Sequence, residues 1–577
     1  MKLRLMPVIC LVLCAAAVAQ QKADSQPADV GPQYVRPQDP NAVKESFGDV
    51  NDIKMLMTLA KDTDPLVREK IVRDLGQTHN VAAGPLIHEF LQDNDVNVRV
   101  TAIGAARELA CGAYQQIILD GLKDKDPRVV RRAAETIGQT DMVDAASNIL
   151  PLLANDNADV QYAALLSLNQ LAKAAPVDSI KALLGHSSPA IRVLALQNAM
   201  FLGKGEAAGI LGEVSDLAAK DAPAVRAEAL AVLGRNAFES HKALINAAKT
   251  DAQPLVRRGA VWAIQQGGKA DQVKPLILDE SVIVRLAAAT AAGTLKSKDA
   301  GADLFKVMIE APDEATHEAA RRSLEQIATA EVAALAGKTV IDYAQKKESA
   351  SLDDRNMNSA CQILRALKSR EALDARLQLL KTLKADSAVL GSIAISLAAI
   401  DEKSAMPDIR NILATNVRNA PAAYARKPPP NVVYSREVVV QTIAALATFG
   451  DAESLEQMKA IAKMKTEASS RGLDYECQGV LKVLPLLHSE ATRSSIDEIV
   501  LEVMGTKFAY NVRFEAMKMA GRFKIEKAVG ELEKVLADRD EKNTMAAAAW
   551  AIEQITGRKV AVPDPLRFIG ERTVVAK

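Results

Sequence analysis

The chain has 577 residues, with 72 basic and 72 acidic side chains in balance, and an apolar share of 49% that includes only 3% aromatic residues. Neutrality argues against a dedicated nucleic-acid or anionic-membrane binder, which carries a strong basic bias. With so few rings the core has to be built from Ala, Leu, Val and Ile, which suits closely stacked short helices; a repeat array of them escapes the size limit of a single core because each unit packs only on its neighbours.

The first stretch, "MKLRLMPVICLVLCAAAVAQ", has a basic start at Lys2 and Arg4, an apolar run from Leu5 to Val12 and a small-x-small site at Ala17-Val18-Ala19. It reads as a secretory signal peptide over residues 1–19, so the mature chain is expected to be exported, periplasmic or secreted. The apolar run falls short of the ~20 residues of a spanning helix, so no transmembrane segment is expected. Leu13 sits where a lipid-anchor signal on Cys14 prefers a small residue. Residues 20–49, rich in Pro and Gln, are expected to be a flexible lead-in. Cys111, Cys361 and Cys477 remain after the signal, too scattered for a disulfide framework and expected as small buried apolar groups.

From residue 50 a repeat takes over. "DPLVREKIVRDLG" at 64, "DPRVVRRAAETIG" at 126 and "APAVRAEALAVLG" at 222 are copies of one template, whose β-branched anchors are Val67, Val98, Val129, Val160, Ile191, Val225, Val256 and Val284. These anchors are separated by 31, 31, 31, 31, 34, 31 and 28 residues. Apolar residues follow each anchor at helical spacing, often closed by a Gly such as Gly76 or Gly234, and another amphipathic stretch such as "AAGPLIHEFLQD" precedes it. One unit is therefore a helical hairpin whose apolar face only the next hairpin can cover.

A turn Asp/Pro followed by Val-Arg and a small-residue helix is the motif by which the chain resembles HEAT-repeat proteins, and its short period is similar to the HEAT-like repeats of phycobilisome lyases. The resemblance implies an all-α fold: a right-handed α-solenoid of about fifteen helical hairpins in a curved rod, with the second helices on the concave side. Regular repeats are expected over 50–328 and degenerate ones over 329–555, around Met357, Val389, Val438, Val512 and Thr544, with a weaker copy near 473. The register breaks at 329–350 and at 414–436, the latter expected as an inserted loop, and residues 556–577 are expected to cap the last hairpin.

The recurring Asp and Arg, among them Asp64 with Arg68 and Asp95 with Arg99, fall at one place in each unit. They are expected to form a structural ladder in which each Arg fork holds a neighbouring Asp or turn carbonyls. His317 occupies the Arg slot of its unit, followed by Glu318. The pair resembles one element of the HEAT-repeat deoxyhypusine hydroxylases, which bind two irons through several such pairs. Here the other His-Glu, His88-Glu89, lies about seven units away in a first helix, so neither metal nor other cofactor is expected. No G-x-S-x-G, P-loop or Cys-x-x-Cys occurs, and no catalytic residue is expected.

Trp262 and Trp550 are expected at core positions. The stretch "NVRNAPAAYARKPPPNVVYSREVV" gathers Arg418, Tyr424, Arg426, Lys427, Tyr434 and Arg436 around a Pro triplet with no acid between Val417 and Glu437. A passive connector is the simpler expectation for it and a partner-contact loop the functional one. Taken together these features point to an exported scaffold that binds a protein or peptide on its concave face, with no catalysis and no nucleic-acid partner. The alternative is a HEAT-repeat enzyme, lyase-like or a metal-dependent hydroxylase, since fold alone does not specify function.

Overall fold

The computed structural model describes residue 56 and residues 60–560, except 79–82, 110–114, 346–352, 426, 465–472 and 539–543. The expected signal peptide, the 20–49 lead-in, Cys111 and most of the expected C-terminal cap lie outside the described residues. Among the described residues there is no strand, and no helix is long and apolar enough to cross a membrane. The chain forms two compact units, the first ending at Ala291 and the second beginning at Ala292.

In the first unit the anchor-bearing helices are Pro65–Gln77, Val96–Glu108, Pro127–Gln139, Ala158–Gln170, Pro189–Ala199, Pro223–Ala237 and Pro254–Gln266. Their starts are set by sequence. The side chains of Asp64, Asp95, Asp126 and Asn157 accept backbone N–H groups of the first turn that would otherwise lack partners, and several helices open on a Pro, whose fixed φ and missing N–H cost nothing there. Shorter first helices, such as Val177–Leu184 and Leu211–Lys220, each pack on the second helix that follows, and successive second helices pack on one another. The anchors from Val98 to Val256 are at most 1% exposed, and each such aliphatic stabilises by roughly 1.5–3 kcal/mol. Small residues decide how near the second helices come. A Cβ on Gly259 would stand 2.5 Å from Ala227 Cα, and one on Gly234 would run into the backbone of Ala263.

In the second unit the corresponding helices are Glu314–Ile327, Asp354–Ala366, Leu390–Ala398, Arg436–Thr448, Asp474–Leu487, Tyr510–Arg522 and Met545–Thr556. With Val282–Thr294, which spans the division, the second helices number fifteen among the described residues, including the weak copy near 473. The break at 329–350 holds an ordinary first helix, Ala330–Ala344, capped by Thr329.

Two expectations need correction. The inserted loop does not begin at 414: the helix Met406–Ala423 runs on through Pro421. Its buried face continues from Ile409 through Ile412, Leu413, Asn416 and Val417 to Ala420, and this periodic burial outweighs a Pro placed where only the last turn loses a hydrogen bond. Trp262 and Trp550 are not core residues either. Each lies six positions after its anchor and is half-buried, on the outer side of a second helix.

Candidate functional site

The repeated charges come first, because they carry the architecture. Arg68 grips Asp93 with Nε at 2.7 Å and Nη2 at 2.8 Å, while its Nη1 donates to the carbonyls of Asp62 and Thr63. Arg99 does the same to Asp124 and to the carbonyls of Asp93 and Asn94, and Arg257 to Asp279 and the carbonyls of Asp251 and Ala252. Arg192–Asp221 and Arg226–Asp251, each at 2.6 Å, complete the set. The ladder thus exists, but Asp64 and Asp95 are not the partners of Arg68 and Arg99. Those two cap their own helices, and the fork reaches the Asp of the following turn. Burial pushes the carboxyls of Asp93, Asp221, Asp251 and Asp279 up, and their Arg and backbone hydrogen bonds outweigh it and hold them below the usual value.

Two rungs have lost both ends, while Arg285 keeps only its bonds to the carbonyls of Asp279 and Glu280. Where the period calls for Arg the chain has Val130 and Gln161, and where it calls for Asp it has Asn155 and His186. Asn155 and His186 keep the neutral half of the job, each accepting the backbone N–H two residues on at 2.9 Å. A carboxylate left there alone would be a partly buried charge without a counter-ion.

His317 is 2% exposed and both ring nitrogens are engaged. Nδ1 lies 2.8 Å from the Met308 carbonyl, which can only accept, so in the neutral ring Nε2 accepts from the Ser359 hydroxyl at 2.8 Å. Burial lowers its pKa. Glu318 turns away to Arg321 and Arg322, whose hydrogen bonds hold it down at about 2 against the opposing effect of burial. His88 faces Asp120 at 3.2 Å in an exposed position. No group of three or more His, Cys, Asp or Glu able to hold a metal occurs among the described residues.

The 414–436 segment is fastened rather than free. Asn416, fully buried, donates to Ala385 O and accepts from Ser435 N. Tyr424 and Tyr434 meet edge to face at 5.5 Å and both donate to Oε1 of Glu476, which is 1% exposed. Burial, with that carboxylate behind it, raises both phenols. The cations stay outside: Arg418 and Lys427 are exposed, Arg436 lies over the Tyr475 ring at 5.8 Å, and Arg426 is outside the described residues.

What remains is a set of half-buried polar and aromatic side chains on the second helices of the first unit. Arg258 lies over Trp262, 4.3 Å from the ring centroid, with a buried Nε that has no hydrogen-bond partner among the described residues. Glu228, on the preceding second helix, accepts from Gln197 at 3.1 Å and is pushed up to about 6 by burial. Nearer the start of the unit, three consecutive second helices enclose a trough of about 670 Å³, lined by Arg73, Arg128, Arg131 and Arg132 with Glu108 and Glu135. Neither place stands out when the repeats are read only for their anchors. The signal was the i, i+3, i+4 spacing of Arg128, Arg131 and Arg132, and the shared position of the two Trp.

Comparison with known proteins agrees with this architecture. The family model for HEAT repeats matches residues 53–137, 85–169 and 115–200. "Uncharacterized phycocyanin operon protein Y" of Pseudanabaena tenuis is 28% identical over 162 residues, 26% of this chain and 38% of that protein. Kap95p, in a structure concerned with its binding to RanGDP, superposes with a TM-score of 0.50 at 13% identity, covering 90% of this chain and 78% of Kap95p. A separate structure of yeast importin-beta (Kap95p) gives 0.47 at 13%, over 87% and 72%. Residues 53–200 are thus HEAT repeats by sequence, and the stacked hairpins of the described residues have the fold of a HEAT-repeat solenoid.

Proposed function

We propose that this HEAT-repeat solenoid is exported and works as a scaffold, holding a protein or peptide on the face of its second helices rather than catalysing a reaction. The observation that carries the reading is Trp262 with Arg258 stacked on it. In a chain with two Trp, one stands half-buried on a helix surface, beside a guanidinium whose Nε is buried and without a hydrogen-bond partner among the described residues. Trp and Arg in a partly desolvated setting are the residue types that dominate protein interfaces. The 414–436 segment enters as a second contact only through its exposed cations, because Tyr424 and Tyr434 are spent on Glu476.

Replacing Trp262 in the full chain by a photo-crosslinking residue tests the face. A discrete protein adduct that disappears with Arg258→Ala is expected; an adduct indifferent to Arg258 would overturn this assignment. Export is tested separately by expressing the complete chain and sequencing the mature N-terminus, expected at Gln20; an intact Met1 in the cytoplasm would refute it.

A further inference from the structure

We propose that the trough formed by the helices Pro65–Gln77, Val96–Glu108 and Pro127–Gln139 is a docking groove for an acidic peptide segment, whose carboxylates are taken by Arg131 and Arg132. This rests on the scaffold reading and names the chemistry of one partner segment.

Four arginines line the trough against two glutamates. Two of the four are already occupied: Arg128 is hydrogen-bonded to Asp126 and Arg73 to Glu69. Arg131 and Arg132 are different. They share Glu135 at 3.6 and 3.9 Å, beyond hydrogen-bond distance, and their guanidinium groups make no hydrogen bond among the described residues. Both guanidinium groups approach the Glu135 carboxylate without hydrogen-bonding it, one helical turn from Arg128, so each keeps donors for a second carboxylate. The middle helix makes room for one guanidinium. Arg132 lies over Gly104, where a Cβ would come within 3.4 Å of Arg132 Nη2, so the lack of a side chain there lets the guanidinium rest close to the middle helix.

The rest of the chemistry selects a peptide over a small anion. The trough of about 670 Å³ crosses three helices and is also lined by Val100, Thr101 and Ala105, so it offers some apolar floor between the charges. A chain with alternating carboxylates and backbone satisfies both; inorganic phosphate would use the forks alone.

The test is fluorescence anisotropy of a labelled poly-glutamate peptide with the full chain, with poly-lysine as the control and inorganic phosphate as competitor. Binding of poly-glutamate alone is expected, weakened about tenfold or more in Arg131→Gln/Arg132→Gln and by added salt. Gly104→Glu, which supplies a carboxylate from within at a half-buried position whose only close neighbour is the flexible end of Arg132, should abolish binding with the helical signal unchanged. Equal affinity in wild type and both variants would overturn the proposal. Displacement of the peptide by an equal concentration of phosphate would overturn it too, leaving a small-anion site. Trp262 crosslinking reads the scaffold reading independently, so a lost peptide with a retained crosslink removes only this groove.

Discussion

Arg99 in the first unit and His317 in the second stand at the same place in their hairpins, yet Arg99 takes the carboxylate of Asp124 ahead of it while His317 takes the Ser359 hydroxyl of the next second helix and the Met308 carbonyl behind it. The contrast runs through both units. Up to Ala291 one device recurs, a guanidinium that staples its own turn and the next. Beyond Ala292 each turn is solved singly: Arg355 donates to Ala311 O, Arg376 to the carbonyls of Ser369 and Glu371, and Arg410 grips Asp451 from 41 residues away. The regular device explains the regular period. When the repeat lengthens or shortens, as between Val256 and Val284, the change falls in the first helix and Asp279 stays in reach of Arg257. First helices differ in length in both units, from the four residues of Ala146–Ile149 to the ten of Leu211–Lys220 in the first and from the nine of Val529–Ala537 to the eighteen of Met406–Ala423 in the second.

The sharpest way to break the comparison is to remove one end of a rung. In Asp124→Ala, Arg99, whose side chain is 6% exposed, loses its counter-ion. The first unit should lose about 3 kcal/mol, the range for an orphaned buried charge. Denaturant unfolding of the full chain reads this, and Arg99→Val/Asp124→Asn, which copies the natural Val130/Asn155 pairing, should recover most of it. If the double variant is no better than the single, the rungs are not paired units. Next in size is Gly234→Ala. A Cβ there meets the backbone of Ala263 rather than a movable side chain, so a loss of about 2 kcal/mol is expected from overpacking, against near-neutrality if the helices simply part.

These two predictions also mark what the sequence makes legible. The hairpins, their fifteen anchors and the Arg slot follow from spacing, because helix period and turn chemistry are local. The Arg partner did not, since the near Asp64 and the distant Asp93 are equally plausible on paper and only the stacked turns choose between them. The Tyr-rich stretch at 424–434 resembled an exposed contact because its eventual partner, Glu476, lies more than 40 residues on. The Arg131/Arg132 trough was hidden by the strength of the repeat itself, which draws the eye to buried positions and away from the outer face.

A smaller effect separates the units by pH. Burial lowers His317 below its ordinary 6.5, so the unfolded chain takes up this proton more readily than the folded one. Its contribution is therefore lost as pH falls from about 6.5 downward. Glu228 works in the other direction: burial raises it from 4.5 to about 6, so the folded chain gains relative stability as pH falls across that interval. Stability measured across this range against His317→Gln and Glu228→Gln should show wild type losing ground to the first variant on acidification and gaining on the second. Parallel profiles in either case would remove that group from the account.

The smallest change is the most informative about why rungs are absent. Installing a rung with Val130→Arg/Asn155→Asp adds a pair of the kind that Arg99 and Asp124 form one repeat earlier, yet a desolvated ion pair roughly breaks even with neutral groups of similar size. The double variant should therefore stay within about 1 kcal/mol of wild type, whereas Val130→Arg alone, a guanidinium with no carboxylate ahead of it, should cost about 3 kcal/mol. If the double variant instead gained several kcal/mol, the ladder would be a source of net stability. Near-neutrality would make it a device that fixes how one turn registers on the next, which is what a scaffold with a defined outer face requires.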